Sequence, residues 1–262
     1  MNILFLGDIA GRPGREALQK TLPQLREKHK INWVFANGEN LAHGKGITLA
    51  TAQQMRNAGV DFLTSGNHIW TKNGKDTIEK EADFIIRPAN YPAGAPGRGY
   101  AIVSAGGKKI LIINLNGRVF FRENFDCPFR KLDEILEETK NEKPDLILLD
   151  FHAEATSEKR AMGFYADGRV SAAIGTHTHI QTSDNEILPK GTAYITDAGM
   201  VGVKHSVLGV KKEISIENFL FQMNRTMEIS DEKLVEICGV ILKEKSGKIV
   251  SIDRIRETVD IS

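Results

Sequence analysis

One stretch of the chain reads Val170-Ser171-Ala172-Ala173-Ile174-Gly175-Thr176-His177-Thr178-His179. Its apolar first half has the length and composition of a short buried strand, and two histidines follow in the loop after it. In an α/β protein, the sheet edge where strands end is where ligands bind. Two imidazoles at such an edge suggest a metal site. Because two ligands cannot hold a metal ion alone, the remaining ligands must come from other parts of the chain.

Four other apolar segments end in the same way, at a carboxylate, an amide or an imidazole. The predicted strands are Ile3–Leu6, Asn32–Ala36, Val60–Thr64 and Asp145–Asp150, which Gly7-Asp8, Gly38-Glu39-Asn40, Gly66-Asn67-His68 and Phe151-His152 follow. The carboxyl ends of parallel strands meet at one edge of a sheet, so we expect these side chains to converge although they are far apart in sequence. Any one of these sets of residues is weak evidence alone, and the prediction rests on their recurrence at the ends of several strands.

Helical segments alternate with these strands. We predict helices from Pro13-Gly14 to about Leu25 (with Pro23 as a point of breakage or bending), from Thr48 as N-cap to Gly59, and over 131–140, 157–165 and 214–223. Further strands are predicted over 110–115, 192–197, 234–243 and 248–255, the last two antiparallel. Buried strands that alternate with helices indicate a layered α/β fold.

The composition is that of one sizeable globular domain. The 262 residues are 41% hydrophobic and 26% charged, and the net charge of +1 gives no sign of a surface that coats nucleic acid. The two cysteines, Cys127 and Cys238, are far apart, which argues against a zinc–thiolate site and suggests a reducing compartment. No apolar run is long enough for a signal peptide or a membrane span, so we expect a cytoplasmic protein.

The candidate ligands are carboxylate oxygens, amide oxygens and imidazole nitrogens, without a thiolate. Such a set suits manganese, iron or zinc. Six or seven ligands are too many for one catalytic ion that keeps an open position, but they fit two ions about 3.5–4 Å apart that share a carboxylate. Such a pair generates a hydroxide nucleophile near neutral pH and stabilises a phosphoryl group under attack. His68 adjoins Asn67 without having to be a ligand, and it could protonate the leaving oxygen.

These motifs resemble those of the calcineurin-like metallophosphoesterases: Gly7-Asp8, Gly38-Glu39-Asn40, Gly66-Asn67-His68, the lone His152, and Gly175-Thr176-His177-Thr178-His179. The chain is more similar to the bacterial YmdB-like branch, through phrases spread over nearly its whole length. They are 38–46 (GENLAHGKG), 87–90 (RPAN), 150–159 (DFHAEATSEK) and 175–182 (GTHTHIQT). The chain departs from the wider superfamily at Asp8-Ile9-Ala10, where Asp-x-His is usual, and at Glu39, where the bridging residue is usually aspartate.

The resemblance implies a single domain over residues 1–262, an αββα sandwich with a small cap within about 87–129. It implies one ion held by Asp8, Glu39, Asn40 and His179, and a second held by Glu39, Asn67, His152 and His177. Iron is favoured, then manganese, and zinc is compatible. His68 would be the proton donor in a phosphodiesterase that acts on cyclic nucleotides, 2′,3′-cyclic ones foremost. RNA ends are a further candidate substrate, and a homo-oligomer is expected.

Other interpretations remain open for several residues. Asp8 alone would be taken as a helix N-cap, and His152 as a core histidine, but the repeated context favours ligands. His43 and Lys45 either contact the substrate phosphate or only flank a glycine turn. Glu154 either supports a histidine ligand or, slightly favoured, starts a helix. The aromatic group Phe120, Phe121, Phe125 and Phe129 is interpreted as core rather than as a base-stacking platform.

Two alternative functions differ in class from the favoured one. The nearer alternative is another phosphoesterase, either a monoesterase or a small nuclease. The more distant one is a non-enzymatic regulator in which the metal site organises a surface for a partner.

Overall fold

The computed structural model describes residues 1–262 as two six-stranded sheets with helices outside them. The strands are β1 (Asn2–Ile9), β2 (Trp33–Asn37), β3 (Phe62–Thr64), β4 (Tyr100–Ala105), β5 (Lys108–Asn116), β6 (Leu146–His152), β7 (Ala172–Thr176), β8 (Glu186–Ile187), β9 (Ala193–Ile195), β10 (Met200–Val203), β11 (Leu234–Lys245) and β12 (Lys248–Asp260). The helices are α1 (Gly11–His29), α2 (Leu49–Ala58), α3 (Gly74–Lys80), α4 (Pro128–Thr139), α5 (Thr156–Ala166) and α6 (Lys212–Phe221), with a 3-10 turn at Lys140–Glu142.

The first sheet has the order β12-β11-β10-β1-β2-β3, and the second has the order β4-β5-β6-β7-β9-β8. In both sheets the central strands are parallel, whereas β11 and β12 form a long antiparallel pair at the edge of the first sheet. The predicted antiparallel pairing of the last two strands is therefore confirmed.

Three apolar layers hold the sheets and helices together. The layer between the two sheets joins Phe5 and Phe35 of the first sheet to Ile112, Leu148 and Ile174 of the second. A second layer packs α1 and α2 against the outer face of the first sheet. A third packs α4 and α5 against the outer face of the second sheet. The predicted αββα sandwich is confirmed, and each sheet is buried on both faces as parallel sheets require.

Local sequence signals correctly predicted the two ends of α2. Thr48 caps α2 and forms a reciprocal capping box with Thr51, and Gly59 ends the helix in the left-handed conformation. Pro23, in contrast, does not break α1, which is continuous from Gly11 to His29. The apolar stripe of α1, which packs against the first sheet, outweighs the single hydrogen bond that a proline removes.

Several predicted strand ends are wrong, because strand pairing extends past them: the strand predicted to end at Ile174 runs to Thr176, and the last strand runs to Asp260 rather than to 255. The first strand does not stop at Gly7: Asp8 and Ile9 pair with Met200 and Val201 of β10. The strand predicted over Asp145–Asp150 runs on to His152 in β6. His152 pairs with Asn116 of β5 on one side and with Thr176 of β7 on the other. Strands β4, β8 and β10 and helix α3 were not predicted, and β4 and β5 place residues 100–116 within the second sheet.

The carboxyl ends of β1, β2, β3, β6 and β7 meet at one edge of the sandwich, where hydrogen bonds connect the two sheets. The hydroxyl of Thr64 in the first sheet donates to Asp150 Oδ2 in the second at 2.5 Å, and Asn37 Nδ2 donates to the same oxygen at 3.0 Å. None of the six helices is both long enough and apolar enough to cross a membrane.

Candidate metal centre

Glu39, His152 and His177 form the centre of the site. One ligand atom from each lies within 4.8 Å of the ligand atoms of the other two, and the side chains come from the ends of β2, β6 and β7. His152 Nε2 lies 3.1 Å from Glu39 Oε1 and 3.0 Å from His177 Nδ1. Asn67 Oδ1 lies 3.3 Å from the same His152 nitrogen. The four residues predicted for the second ion therefore converge on one point.

A buried hydroxyl sets the orientation of His152. Thr176 Oγ1 donates to Asp150 Oδ1 at 2.6 Å, and it lies 2.9 Å from His152 Nδ1. Because the carboxylate can only accept, the hydroxyl proton belongs to that bond, and the hydroxyl accepts from His152 Nδ1–H. Nε2 of His152 therefore faces the site, in the arrangement usual for a metal-bound histidine.

His177 is oriented in the same manner from the other side. Its Nε2 lies 3.0 Å from Glu154 Oε2, and its Nδ1 faces His152. Burial, followed by the charge of His152, lowers the pKa of His177 to about 3, so its ring is neutral and carries one proton. With that proton on Nε2 towards Glu154, Nδ1 presents a lone pair to the site. Glu154 thus contacts a candidate histidine ligand. The sequence had slightly favoured a role for Glu154 as an acid at the start of a helix, but the structure shows the contact with His177 instead.

Electrostatics show that this point attracts positive charge. Burial lowers the pKa of His152, but Glu39 outweighs that effect and raises it to about 9. Burial also disfavours ionised Glu39, but its pKa is lowered well below the usual range, chiefly by His152. Carboxylate, amide and imidazole acceptors thus gather around a proton in the place where a cation would bind.

Asp8 adds a carboxylate, one oxygen of which lacks a protein donor. Its side chain is fully buried, Oδ2 accepts from the backbone N–H of His177 at 3.0 Å, and Oδ1 has no hydrogen-bond partner. Burial raises the pKa of Asp8 to about 6. A buried carboxylate oxygen without a partner is costly unless a cation neutralises it. This orphaned oxygen fits a second cation beside the first.

His179 and Asn40 lie on the Asp8 side of the site. The Nδ1 of His179 lies 3.0 Å from the carbonyl oxygen of Leu208, which leaves Nε2 facing inward, 3.8 Å from Asp8 Oδ1. Asn40 Nδ2 lies 3.1 Å from this Nε2 and 3.2 Å from Glu39 Oε1. As oriented, Asn40 presents its amide nitrogen; a half-turn about its last side-chain bond would present the oxygen, which is the atom that binds metals.

A glycine makes room for the ligands. A Cβ atom on Gly66 would lie 2.3 Å from Glu39 Oε2 and 2.4 Å from the His152 ring. No side chain fits there unless the ligands move. The glycine beside Asn67 is therefore required by the close approach of two candidate ligands from different sheets.

His68 lies beside the cluster and faces an open cleft. Its backbone N–H donates to Glu39 Oε2 at 3.0 Å. Its side chain lines a cleft of about 250 Å³ together with Lys45, His177 and His179. Burial lowers the pKa of His68. The histidine is thus held close to the candidate ligands while it remains accessible from the cleft.

The aromatic segment has divided roles. Phe125 is buried, as predicted, and Phe129 packs against Tyr165. Phe121 instead packs against the candidate ligands, with its ring centroid 4.9 Å from that of His177. Phe120 is 82% exposed, so it is not part of the core.

A buried ion pair that was not predicted supports the loop carrying both histidines. Lys159 Nζ donates to Asp197 Oδ2 and to the Thr176 carbonyl oxygen, at 2.5 and 2.6 Å. Asp197 also accepts from the backbone N–H and hydroxyl of Thr178. Both charges are inaccessible to solvent. Asp197 ends a predicted strand, so the placement that singled out Asp8 was a signal available for it too.

Comparisons with known proteins agree with this architecture. A family model described as YmdB-like protein matches residues 4–255. The chain is 44% identical over 257 residues to the 2′,3′-cyclic-nucleotide 2′-phosphodiesterase of Bacillus subtilis, covering 97% of this chain and 96% of that protein. The crystal structure of a phosphatase from Mycoplasma pneumoniae superimposes with a TM-score of 0.92 at 35% identity, covering 99% of this chain and 94% of that one.

A more distant structure shows the same fold. The calcineurin-like phosphoesterase YfkN of Bacillus subtilis superimposes with a TM-score of 0.58 at 14% identity, over 100% of this chain and 90% of that one. The family match and the 44% identity each extend over nearly the whole chain. This chain therefore belongs to the YmdB-like family, and its fold is that of the calcineurin-like phosphoesterases.

Proposed function

We propose that the chain is a metal-dependent phosphodiesterase that hydrolyses 2′,3′-cyclic nucleotides. The observation that carries the proposal is the convergence of Glu39, His152, His177 and Asn67 on one point, beside the orphaned oxygen of Asp8. The activity named for the Bacillus subtilis relative supports the choice of substrate.

The donor set fits two ions. Asp8, Glu39, Asn40 and His179 would hold one, and Glu39, Asn67, His152 and His177 would hold the other. Oxygen and imidazole donors without thiolate favour iron or manganese and are compatible with zinc. When bound, such a pair supplies an activated water near neutral pH and stabilises charge on the phosphoryl group.

The protein's own residues orient the ligands and handle the proton. Thr176 and Glu154 fix the inward-facing nitrogens of His152 and His177. His68, in the cleft beside Glu39, donates a proton to the ribose oxygen that leaves phosphorus. Lys45 lines the same cleft and adds a positive charge where the phosphate enters.

A binuclear site is tested by elemental analysis of anaerobically purified protein together with anomalous scattering from its crystals. We expect two peaks with Glu39 between them. A single peak would contradict the binuclear proposal, although hydrolysis could still occur.

The role of His68 is tested by His68→Ala. We expect turnover to fall by roughly two to four orders of magnitude with metal content unchanged, because a general acid contributes that much. An unchanged turnover would remove His68 from the mechanism.

The substrate is tested by comparing 2′,3′-cyclic AMP, 3′,5′-cyclic AMP, a nitrophenyl phosphate and a short RNA. A preference for the nitrophenyl monoester or for internal RNA cleavage would favour one of the alternative activities. We further propose that residues 1–262 act as one catalytic domain, in which the parts of 87–129 outside β4 and β5 form a small cap.

A further inference from the structure

A second cavity adjoins the catalytic cleft and is basic. It has a volume of about 460 Å³, and its polar lining comes from His43, Lys45, Lys72, Asn224, Arg225 and Thr226. Val210, Met227 and Ile229 form its apolar part. No carboxylate lines it, although the chain as a whole carries nearly equal numbers of acidic and basic residues. The cavity therefore selects for an anion.

The cavity is continuous with the cleft that contains the candidate ligands. Gly44, Lys45, Val210 and Ile229 line both spaces. The cleft holds His68, and Lys45 stands on the boundary between the two spaces. A ligand that places one phosphate at the candidate metal centre can thus extend directly into the basic cavity.

Contacts between two loops fix the backbone that carries Lys45 and Lys72. The loop around Gly46 packs so closely on Thr71 that a Cβ atom at Gly46 would lie 2.1 Å from its hydroxyl. A β-bridge joins Ile47 to Lys72, the residue that follows Thr71. The ammonium groups of Lys45 and Lys72 form neither a salt bridge nor a hydrogen bond within the chain.

Arg225 belongs to the lining of the cavity that the segment after α6 provides. Its backbone N–H donates to Asn218 Oδ1 at 3.0 Å, and its guanidinium contacts Glu217. The segment after α6 is thereby attached to that helix. Lys45 and Lys72, which have no acidic partner in the chain, are available to a ligand, whereas Arg225 contacts Glu217.

We propose that this cavity binds the phosphodiester that precedes the cyclic phosphate in an oligoribonucleotide, so that the preferred substrate is an RNA 3′ end carrying a 2′,3′-cyclic phosphate. The inference rests on the proposed function, which places the cyclic phosphate at the candidate metal centre. One nucleotide further along such a chain lies another singly charged phosphodiester, and lysines bind phosphate as point charges. The apolar part of the cavity offers a contact for the adjoining ribose or base.

The reaction itself is unchanged by the longer substrate. Water adds across one P–O bond of the cyclic phosphate, and the released ribose oxygen takes a proton. A phosphomonoester remains at the 3′ end. The internal phosphodiester stays intact, because the basic cavity contains no candidate metal ligand.

The test compares three substrates: 2′,3′-cyclic AMP, the diadenylate with a terminal 2′,3′-cyclic phosphate, and the same diadenylate with an uncharged methylphosphonate between its nucleosides. We expect kcat/KM for the charged dinucleotide to exceed that of the mononucleotide roughly tenfold or more, as a charge-assisted contact gives. The methylphosphonate should lose most of this advantage. Equal kcat/KM values for all three substrates would overturn the inference.

Lys72→Gln keeps a polar side chain that is one atom shorter and removes the charge. We expect it to lower the ratio of dinucleotide to mononucleotide kcat/KM several-fold, and to reduce the salt dependence of the dinucleotide reaction. Lys190→Gln, at an exposed lysine outside the cavity, is the matched control and should leave the ratio unchanged. If Lys72→Gln lowered both reactions equally, or neither, Lys72 would not contact a second phosphate.

The two proposals can fail separately. If 2′,3′-cyclic AMP and both dinucleotides resist hydrolysis by metal-loaded enzyme, the proposed function is wrong. Fluorescence anisotropy with a labelled diadenylate then still tests the cavity. Weaker binding to Lys72→Gln than to Lys190→Gln supports it, and equal binding refutes it.

Discussion

Thr176→Val tests the inference that a buried hydroxyl orients His152. Valine has nearly the shape of threonine, so the change removes the hydroxyl and little else. The variant loses the contact to His152 Nδ1 at 2.9 Å and the donation to Asp150 Oδ1 at 2.6 Å. Asn37 and Thr64 still donate to the other oxygen of Asp150, at 3.0 and 2.5 Å.

Two separate effects follow from this loss. Asp150 is left with one buried oxygen short of a donor, which costs about 1–3 kcal/mol of unfolding free energy. His152 loses the acceptor that fixes its tautomer and ring orientation, and the loss of such a partner typically costs roughly 10–100-fold in metal affinity. We therefore expect a moderately less stable protein that binds the ion of His152 and His177 more weakly.

The assay is calorimetric titration of metal-free protein with Mn²⁺, together with urea unfolding. Thr192→Val is the matched control, because Thr192 is also buried, donates to the Val170 carbonyl oxygen at 2.7 Å and accepts from Gly168 N–H at 2.9 Å. Thr192 directly precedes β9, which pairs with β7 from Ala172 onward, and it lies at the end of β7 away from the histidines. The control should lose stability and keep metal affinity. If Thr176→Val bound Mn²⁺ as tightly as this control, the hydroxyl would have no part in orienting His152.

Two further predictions concern stability outside the ligand set. Lys159→Met leaves Asp197 as an uncompensated buried charge, which should lower the unfolding free energy by about 3–5 kcal/mol; a loss below about 1 kcal/mol in urea unfolding would show that the pair is unimportant. Burial tends to raise the pKa of Glu244, but Gly247 N–H, Lys108 and the N-terminal ammonium lower it to about 2. This depressed pKa stabilises the fold above about pH 4.5, and that stabilisation is lost as the pH falls towards 2. The difference in urea midpoint between wild type and Glu244→Gln should therefore shrink from pH 6 to pH 3, and a constant difference would contradict it.

The sequence was sufficient to predict which residues meet, because that follows from topology. Asp8, Glu39, Asn67, His152 and His177 each stand at or just beyond the carboxyl end of a strand, and a parallel sheet brings such ends together whatever the loops do. The prediction did not require exact strand ends. Strands β1 and β6 extend three and two residues further than their composition indicated, yet the candidate ligands are at the same edge.

The residues that orient the ligands could not be predicted in the same way. Thr176 lies between Gly175 and His177, the residues by which the motif is recognised. Threonine is common in strands for reasons of packing alone, so nothing marks it as functional. Its role depends on Asp150 and His152, which come from the neighbouring strand. Asn37 likewise acts across the interface between the sheets. Such roles are properties of a pairing register and of a sheet-to-sheet distance, which a single sequence does not specify.

The division of the candidate ligands between the two sheets would couple metal binding to the docking of the sheets. Asp8 and Glu39 follow strands of the first sheet, whereas His152 and His177 follow strands of the second. An ion bound by both sets can stabilise only the state in which the two sheets are packed together. We therefore expect Mn²⁺ to raise the unfolding free energy by about 2.7 kcal/mol when its free concentration is a hundred times its Kd, since the unfolded chain lacks the site.

This coupling is measured by thermal unfolding of metal-free protein over a range of Mn²⁺ concentrations. The midpoint temperature should rise with the logarithm of the free Mn²⁺ concentration once the site is saturated. The same titration of Asp8→Asn separates the two sets of ligands, because the amide cannot supply the anionic oxygen that is orphaned in the wild type. A smaller rise in the variant would mean that the first sheet contributes binding energy directly. Equal rises would mean that the other candidate ligands hold the ion without Asp8, and that Asp8 is buried for another reason.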